Sequence, residues 1–267
     1  MAITNVPPRL FGILASEAKV AVLLRRGPSR WCQMILWHTD TDEIIRGQWV
    51  HHRVYEHNCL LSFDGELLVY HAYGPYKSKN SSKRIEWTAV SRPPFFTALA
   101  MWNYHLGNLV VYKDSPSSNE PPPHPSKLAS MAKSPAEHLK QTGWERVGGS
   151  DDRVYPHESI WQKTHRRSKS SLVMRSHFGF PNHIPGRGTQ SEDYSICRQA
   201  DGAETALENV DWADIDHKQR LVFTREGRLY AAEILPDGLR ETLLADFTTD
   251  QPTKVAPPPW AKRWPRH

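Results

Sequence analysis

Residues 9–49 read RLFGILASEAKVAVLLRRGPSRWCQMILWHTDTDEIIRGQW. They contain four short apolar runs: Arg9–Ala15 (RLFGILA), Lys19–Arg25 (KVAVLLR), Trp31–His38 (WCQMILWH) and Glu43–Trp49 (EIIRGQW). Turn-like pieces separate them, namely SEA after Ala15, Arg26-Gly27-Pro28-Ser29, and Thr39-Asp40-Thr41-Asp42. Short β-rich runs at this even spacing predict an antiparallel meander rather than helices. Four strands in about forty residues is the size of one β-propeller blade.

The same grammar continues outward. After His51–Asn58 (HHRVYEHN), the run Cys59–Phe63, a turn at Asp64-Gly65 and the run Glu66–Tyr73 form a hairpin. Asp-Gly supplies the positive-φ residue that a tight hairpin needs. A polar loop, Lys77–Lys83, leads into the strand Ile85–Ser91, and beyond Arg92-Pro93-Pro94 the run Phe95–Trp102 reads as another strand, with Asn108–Lys113 as its pairing candidate. Ser115–Ser126 (SPSSNEPPPHPS) is poor in apolar residues and reads as an exposed, mobile Pro/Ser-rich loop. Residues 127–141 are predicted as a short helical insertion, with Ser134-Pro135 opening its second half and Gly143 just past its end. Strands resume at Trp144–Val147, Glu158–Lys163, Ser171–His177 and Tyr194–Arg198, the last two separated by a Gly/Pro-rich loop over Phe178–Ser191. A second hairpin runs from Ala213–Asp216 into Arg220–Thr224, followed by Arg228–Leu235 and Leu243–Phe247.

Leu60–Tyr70 (LLSFDGELLVY) aligns with Asp214–Thr224 (DIDHKQRLVFT), an offset of 154 residues from Asp64 to Lys218. At about fifty residues per blade that distance is three blades, which gives about five in all. The expectation is an all-β chain: a small β-propeller of about five blades over 1–256 as one domain, then a basic Pro/Trp-rich tail over 257–267.

LSFDGELLVYHA resembles the inner hairpin of TolB-type propellers, whose usual pattern is Ser-Pro-Asp-Gly followed by an apolar strand. Phe63 stands where proline is usual, and the second copy near Asp216–Val222 lacks the Asp-Gly. GPSRWCQMILWHTDTD, WTAVSRPPFFTALAMW and NVDWADIDHKQRLVFTREGRLYAAEI are similar to segments of uncharacterised bacterial proteins of this size. The resemblance spans most of the chain and implies the propeller fold with no activity attached. Periodic Gly-His or Trp-Asp dipeptides of the WD type are absent, and fold does not imply function in any case.

Composition bounds the function classes. With 39% hydrophobic and 24% charged residues the chain is globular rather than disordered in character. The 10 tryptophans suit sheets that pack large rings between layers. The net charge of +5 invites a nucleic-acid reading, yet the basic residues are dispersed apart from Lys163–Lys169 (KTHRRSK) and Lys262–His267 (KRWPRH). Cys32, Cys59 and Cys197 form no C-x-x-C pair and read as small buried hydrophobes in a reducing compartment. The N-terminus lacks the charged-then-apolar order of a signal peptide, and no apolar run approaches the ~18 residues of a membrane span, so the expected location is cytoplasmic. The sequon Asn80-Ser81-Ser82 then reads as a chance match.

Three loops of a propeller so drawn, His51–Asn58, Ser91–Pro94 and Glu208–Asp211, lead from an outer strand to the next inner one. They bring His52, Arg53, Tyr55, Arg92, Asp211, Trp212 and Asp214 toward one surface, which suits an anionic or planar group at a central channel. The alternative is that Arg92 and the aspartates pair with each other or with backbone and lock blades together. In the tail PPPWAKRWPRH, Trp260 and Trp264 either pack back on the body or offer a partner an aromatic anchor. His51, His52 and His57 share one loop, but on a strand the first two point to opposite faces and no carboxylate pattern accompanies them. No metal site and no cofactor are therefore expected. No Gly-rich phosphate loop and no G-x-S-x-G elbow occurs. The lack of these motifs leaves catalysis open and favours a non-enzymatic protein. The expected function is a binding module with a protein partner, or with a small ligand in the channel. One alternative is a glycoside-hydrolase-like propeller, for which Asp64, Glu158, Asp211, Asp214 and Asp216 are carboxylates by position only. The other is a nucleic-acid binder using Lys163–Lys169 with Trp161.

Overall fold

The computed structural model describes residues 7–27, 30–75, 84–103, 131–151, 155–179, 190–235 and 238–265. They form four antiparallel sheets in chain order. The first contains β1 (Arg9–Leu14), β2 (Val20–Arg26), β3 (Cys32–His38) and β4 (Glu43–Val50), paired in that sequence. The turns follow their residues: Ala15 N–H donates to the Val20 carbonyl at 3.0 Å, Gly27 (φ 116°) to Trp31 at 3.0 Å, and Asp42 (φ 62°) to His38 at 2.8 Å. Glycine and aspartate are the residue types that accept such backbone at least cost.

The second sheet holds β5 (Arg53–Val54), β6 (Leu60–Leu61), β7 (Leu68–Pro75), β8 (Arg84–Ser91) and β9 (Ala98–Asn103), with β5 and β6 both pairing to β7. A helix, α1 (Pro135–Gln141), follows. Its N-cap Ser134 accepts the Glu137 amide through its hydroxyl at 3.1 Å, and proline occupies the first turn, where its missing N–H costs nothing. The third sheet runs β10 (Glu145–Gly149), β11 (His157–His165), β12 (Ser170–Phe178), β13 (Gln190–Arg198) and β14 (Glu204–Ala206). The fourth runs β15 (Trp212–Ile215), β16 (Leu221–Arg225), β17 (Arg228–Leu235) and β18 (Gly238–Asp246).

The all-β class is as the strand grammar predicts, and the described residues form four blades rather than about five. The two hairpins aligned in sequence lie in the second and fourth sheets, only two sheets apart. Their offset misleads because residues 104–144 between β9 and β10 contribute α1 and no strand among the described residues. Within the predicted insertion the helix covers Pro135–Gln141 and residues 131–134 are not helical, while residues 127–130 lie outside the described residues. The loop over Ser115–Ser126 and the strand Asn108–Lys113 lie outside the described residues. Ser91–Pro94 connects β8 to β9 within one sheet, so it is not a crossover between sheets.

The chain divides into two compact units, 1–142 with 249–267, and 143–248. The first unit groups the tail with the N-terminal sheets. In the first unit one apolar cluster joins Val22, Leu24 and Met34 of the first sheet to Leu61, Leu68, Tyr70 and Ala89 of the second. Fully burying such side chains is worth about 1.5–3 kcal/mol each. The Tyr70 hydroxyl, buried with them, donates to the Phe96 carbonyl at 2.9 Å, so its polar end is satisfied. Among the described residues no helix is long and apolar enough to cross a membrane.

The 249–267 segment is tied to the first sheet by charge and amide contacts. Arg25, almost fully buried, lies over the Trp49 ring (5.0 Å) and donates to the carbonyls of Gly27 and, at 3.1 Å, Asp250. Arg46 pairs with the Asp250 carboxylate at 2.9 Å, and the Gln48 amide donates to the Val255 carbonyl at 3.0 Å.

Gly47 permits the tightest approach in this unit. A Cβ there would stand 1.9 Å from the Pro94 carbonyl oxygen and 2.7 Å from that of Met34, both backbone atoms. Gln48 N–H donates to the same Pro94 carbonyl at 2.9 Å. Gly47→Ala is therefore expected to destabilise the protein by about 3 kcal/mol, since the clash is with backbone rather than with a movable side chain. Chemical denaturation checks this, and a loss under about 1 kcal/mol would contradict the approach.

Candidate functional site

The loop 51–58 has its own logic, in which each histidine meets a different ring. His51 tilts against Trp31 (4.8 Å), His52 meets Trp87 edge-on (4.9 Å), and His57 meets Phe11 edge-on (4.6 Å). The three imidazoles diverge. His52 is also wedged over Gly74, where a Cβ would lie 2.1 Å from its Nδ1, and burial lowers its pKa. It therefore serves packing within the unit. Arg53, exposed, covers the Tyr55 ring at 5.1 Å, and the Tyr55 hydroxyl donates to Glu86 at 3.3 Å. Burial and the Glu86 carboxylate raise the Tyr55 pKa. Nearby, Glu56 is buried against Arg26. Burial pushes its carboxyl pKa up, but the charges of Arg26 and His57 outweigh that and hold it below the usual range.

Arg92 stands apart from this loop, in the β8–β9 connection. Its guanidinium lies under the Trp260 ring (4.9 Å), with long contacts to the Trp260 carbonyl (3.3 Å) and to Glu66 (3.5 Å). Its Nε is buried without a hydrogen bond. Phe95 meets the same indole edge-on at 5.3 Å. Trp260 is nonetheless 45% exposed, while Trp264 packs against Leu60, Leu67, Val69, Val90, Met131 and Ala132. The tail thus answers its own ambiguity by splitting: Trp264 packs back and Trp260 stands out. Position along the tail could not separate the two; Trp260 sits in a 3-10 turn over Pro259–Lys262, entered from Pro258 on extended backbone at φ −67° and ψ 163°.

The same two segments border a groove of about 400 Å³ lined by Trp49, Val50, Phe96, Thr97, Val255 and Pro257. Its position depends on the Gly47–Pro94 approach, a signal visible in sequence only as a glycine inside a strand.

In the second unit, Trp212 and Asp214, expected on a loop-bearing face, are buried at 4% and 6% exposure on β15. Asp214 accepts from Lys163 Nζ at 2.6 Å, from the Trp144 indole at 3.3 Å and from the Ile215 amide at 2.7 Å. Lys163 also donates to the Ile215 carbonyl at 3.0 Å. This satisfied network joins β11 to β15, which is the locking role that was the alternative reading. Asp211 caps the same sheet, its amide donating to the Thr224 carbonyl at 2.9 Å. Two other position-only carboxylates are turn residues. Asp64 accepts from the Ser62 hydroxyl (2.6 Å) and the Glu66 amide (3.0 Å), and Asp216 from the Lys218 and Arg220 amides (2.9 Å each). Such aspartates organise a turn rather than a reaction. Glu158 lies 3.8 Å from His177 at the end of β11.

Four successive meanders of four or five strands define an all-β protein of propeller-type blades. No family model matches the chain, and no curated protein matches it in sequence. Among solved structures it is similar to the crystal structure of the tricorn protease, at 10% sequence identity and a TM-score of 0.24, over 91% of this chain. The chain spans 27% of that protein's length.

Two outcomes follow from the buried charges. Lys163→Met strands the Asp214 carboxylate and should cost about 3–5 kcal/mol, whereas Lys163→Met with Asp214→Leu should be less destabilised than the single variant. Urea titration of both checks this, and simple additivity would show that the pair is not coupled. Glu56→Gln should cost about 2 kcal/mol near neutral pH. Because the folded-state pKa is depressed, that contribution is present above the unfolded value and fades as pH falls through the folded one. The difference from wild type should therefore close in acid, and a gap that persists there would assign it to packing instead.

Proposed function

We propose that this chain is a non-catalytic binding module that captures a protein partner on the Arg92–Trp260 face of its N-terminal unit. The observation that carries the reading is a tryptophan left 45% exposed although it is held from below by Arg92 and from the side by Phe95. An indole fixed in one orientation loses little freedom on binding, and Trp and Arg are the residue types that dominate interface energetics. The adjoining groove offers apolar surface with Lys254 on its lining, and the exposed cations Lys262 and Arg263 follow Trp260 in the chain. The matching partner presents an apolar pocket for the indole with carboxylates at its rim. A cytoplasmic, reducing setting fits the free thiols Cys32 and Cys59, which burial makes harder to ionise. Kinship with TolB-type propellers belongs to the same reading, supported by the Asp64-Gly65 hairpin at the first tight turn of the second sheet.

The test is affinity capture with the whole chain, comparing wild type, Trp260→Ala and Arg92→Ala at moderate salt. A stoichiometric partner retained by wild type should bind Trp260→Ala at least about thirtyfold more weakly, the scale of one hot-spot residue. Arg92→Ala should weaken it less, since it acts by seating the indole. Equal binding by wild type and Trp260→Ala, with both folded by circular dichroism, would refute the assignment of this face.

A further inference from the structure

The basic run Lys163–Lys169 does not survive folding as a run. Lys163 turns inward to Asp214, and His165 is buried at the end of β11. Its Nδ1 accepts the Ser168 amide at 3.2 Å, so Nε2 carries the proton and donates to the Gln219 carbonyl at 2.8 Å. That strut joins the turn 166–169 to the turn 216–220 of the next sheet. On the other side, the Gln199 amide donates to the Lys169 carbonyl at 3.1 Å, and Arg198 lies opposite Ser170 in the β12–β13 register. Three turns distant in sequence are thus bonded together at one end of the second unit.

Their charge is far from average. Residues 165–170, 198–202 and 216–220 contain the cations Arg166, Arg167, Lys169, Arg198, Lys218 and Arg220, against only Asp201 and Asp216. The cluster nets +4, with six cations against two carboxylates. Asp216 is buried and engaged by Arg220, and Asp201 pairs with Arg198 at 3.2 Å. Arg166, Arg167 and Lys169 are exposed on the central turn. Concentrating a net charge of +4 on three turns bonded to one another raises the local potential where a polyanion would be steered.

We infer that this three-turn end of the second unit binds the phosphate backbone of nucleic acid, without reading base sequence. Arg166, Arg167 and Lys169 supply the central phosphate contacts, and Arg198 and Lys218 flank them. None of the exposed large apolar side chains among the described residues (Ile45, Met101, Val147, Tyr155, Leu243 and Trp260) lies on these turns. The surface therefore offers no platform for stacking unpaired bases and no wedge for insertion into a lipid surface, which favours a duplex backbone as the occupant. The site uses no residue of the Arg92–Trp260 anchor and stands or falls independently of it.

The experiment is fluorescence anisotropy of a labelled ~20-base-pair DNA duplex of arbitrary sequence, titrated with the full chain from about 50 to 200 mM salt. Three proteins are compared: wild type, Arg166→Glu/Arg167→Glu/Lys169→Glu, and Lys19→Glu/Lys133→Glu/Lys140→Glu, which makes the same charge change at exposed lysines elsewhere. Wild type should bind with affinity that falls steeply with salt, and a second unrelated duplex should bind equally. The first triple variant should bind at least tenfold more weakly, with a log–log salt slope shallower by about 2–3, as three lost phosphate contacts require. The lysine control should stay near wild type, and thermal unfolding should show all three folded. No wild-type binding at the lowest salt, equal loss in both triple variants, or capture of anionic phosphatidylserine vesicles without capture of the duplex would each overturn the inference.

Discussion

The approach of β4 to Pro94 at Gly47 is the contact from which the N-terminal unit's architecture follows. It brings the β8–β9 connection of the second sheet within hydrogen-bonding distance of the first sheet's last strand. With that connection come Phe96, which enters the groove, and Arg92 and Phe95, which seat Trp260. The 249–267 segment then has a surface to lie on, fixed by Asp250 against Arg46 and by Val255 against Gln48. Any side chain at position 47 would push these layers apart, and groove and anchor would go together.

A second regularity is the treatment of buried charge. Asp214 has Lys163, an indole and an amide, and Glu56 has Arg26. Removing a charged group from water costs several kcal/mol unless geometry and hydrogen bonds compensate, so such groups are partnered wherever the fold encloses them. The consequence for function is direct. Asp214 and Asp216, which a motif reading could enlist as catalytic carboxylates, are occupied in holding sheets and turns. Arg92 is different, with its long contacts and a buried Nε that has no hydrogen bond, and it lies beneath an exposed ring.

The two surfaces proposed above rest on different physics. One offers a preoriented aromatic side chain and apolar area, whose energy would come from desolvation and would change little with salt. The other offers concentrated charge, whose energy would come largely from counterion release and would vanish as salt rises. A binding module with both would respond separately to a protein partner and to a polyanion.

Strand grammar was legible in residues 9–49 because short apolar runs and the turn residues between them act locally, and the first sheet follows those runs closely. The Asp64-Gly65 and Gly143 turns were legible for the same reason, since positive φ is a property of single residues. The blade count was not, because the 154-residue offset mixes sheet length with the intervening chain between β9 and β10. Nor could sequence say which of two tail tryptophans would be buried, or that Lys163 would leave the basic run while Arg198 and Lys218 joined it. Those outcomes depend on hydrogen bonds between residues tens to hundreds of positions apart, such as His165 to Gln219 and Gln48 to Val255. The amino-acid sequence by itself determined the elements and their turns, because backbone preference is local. Only the tertiary structure decided which charges and rings face water, because burial is a property of the neighbours that packing supplies.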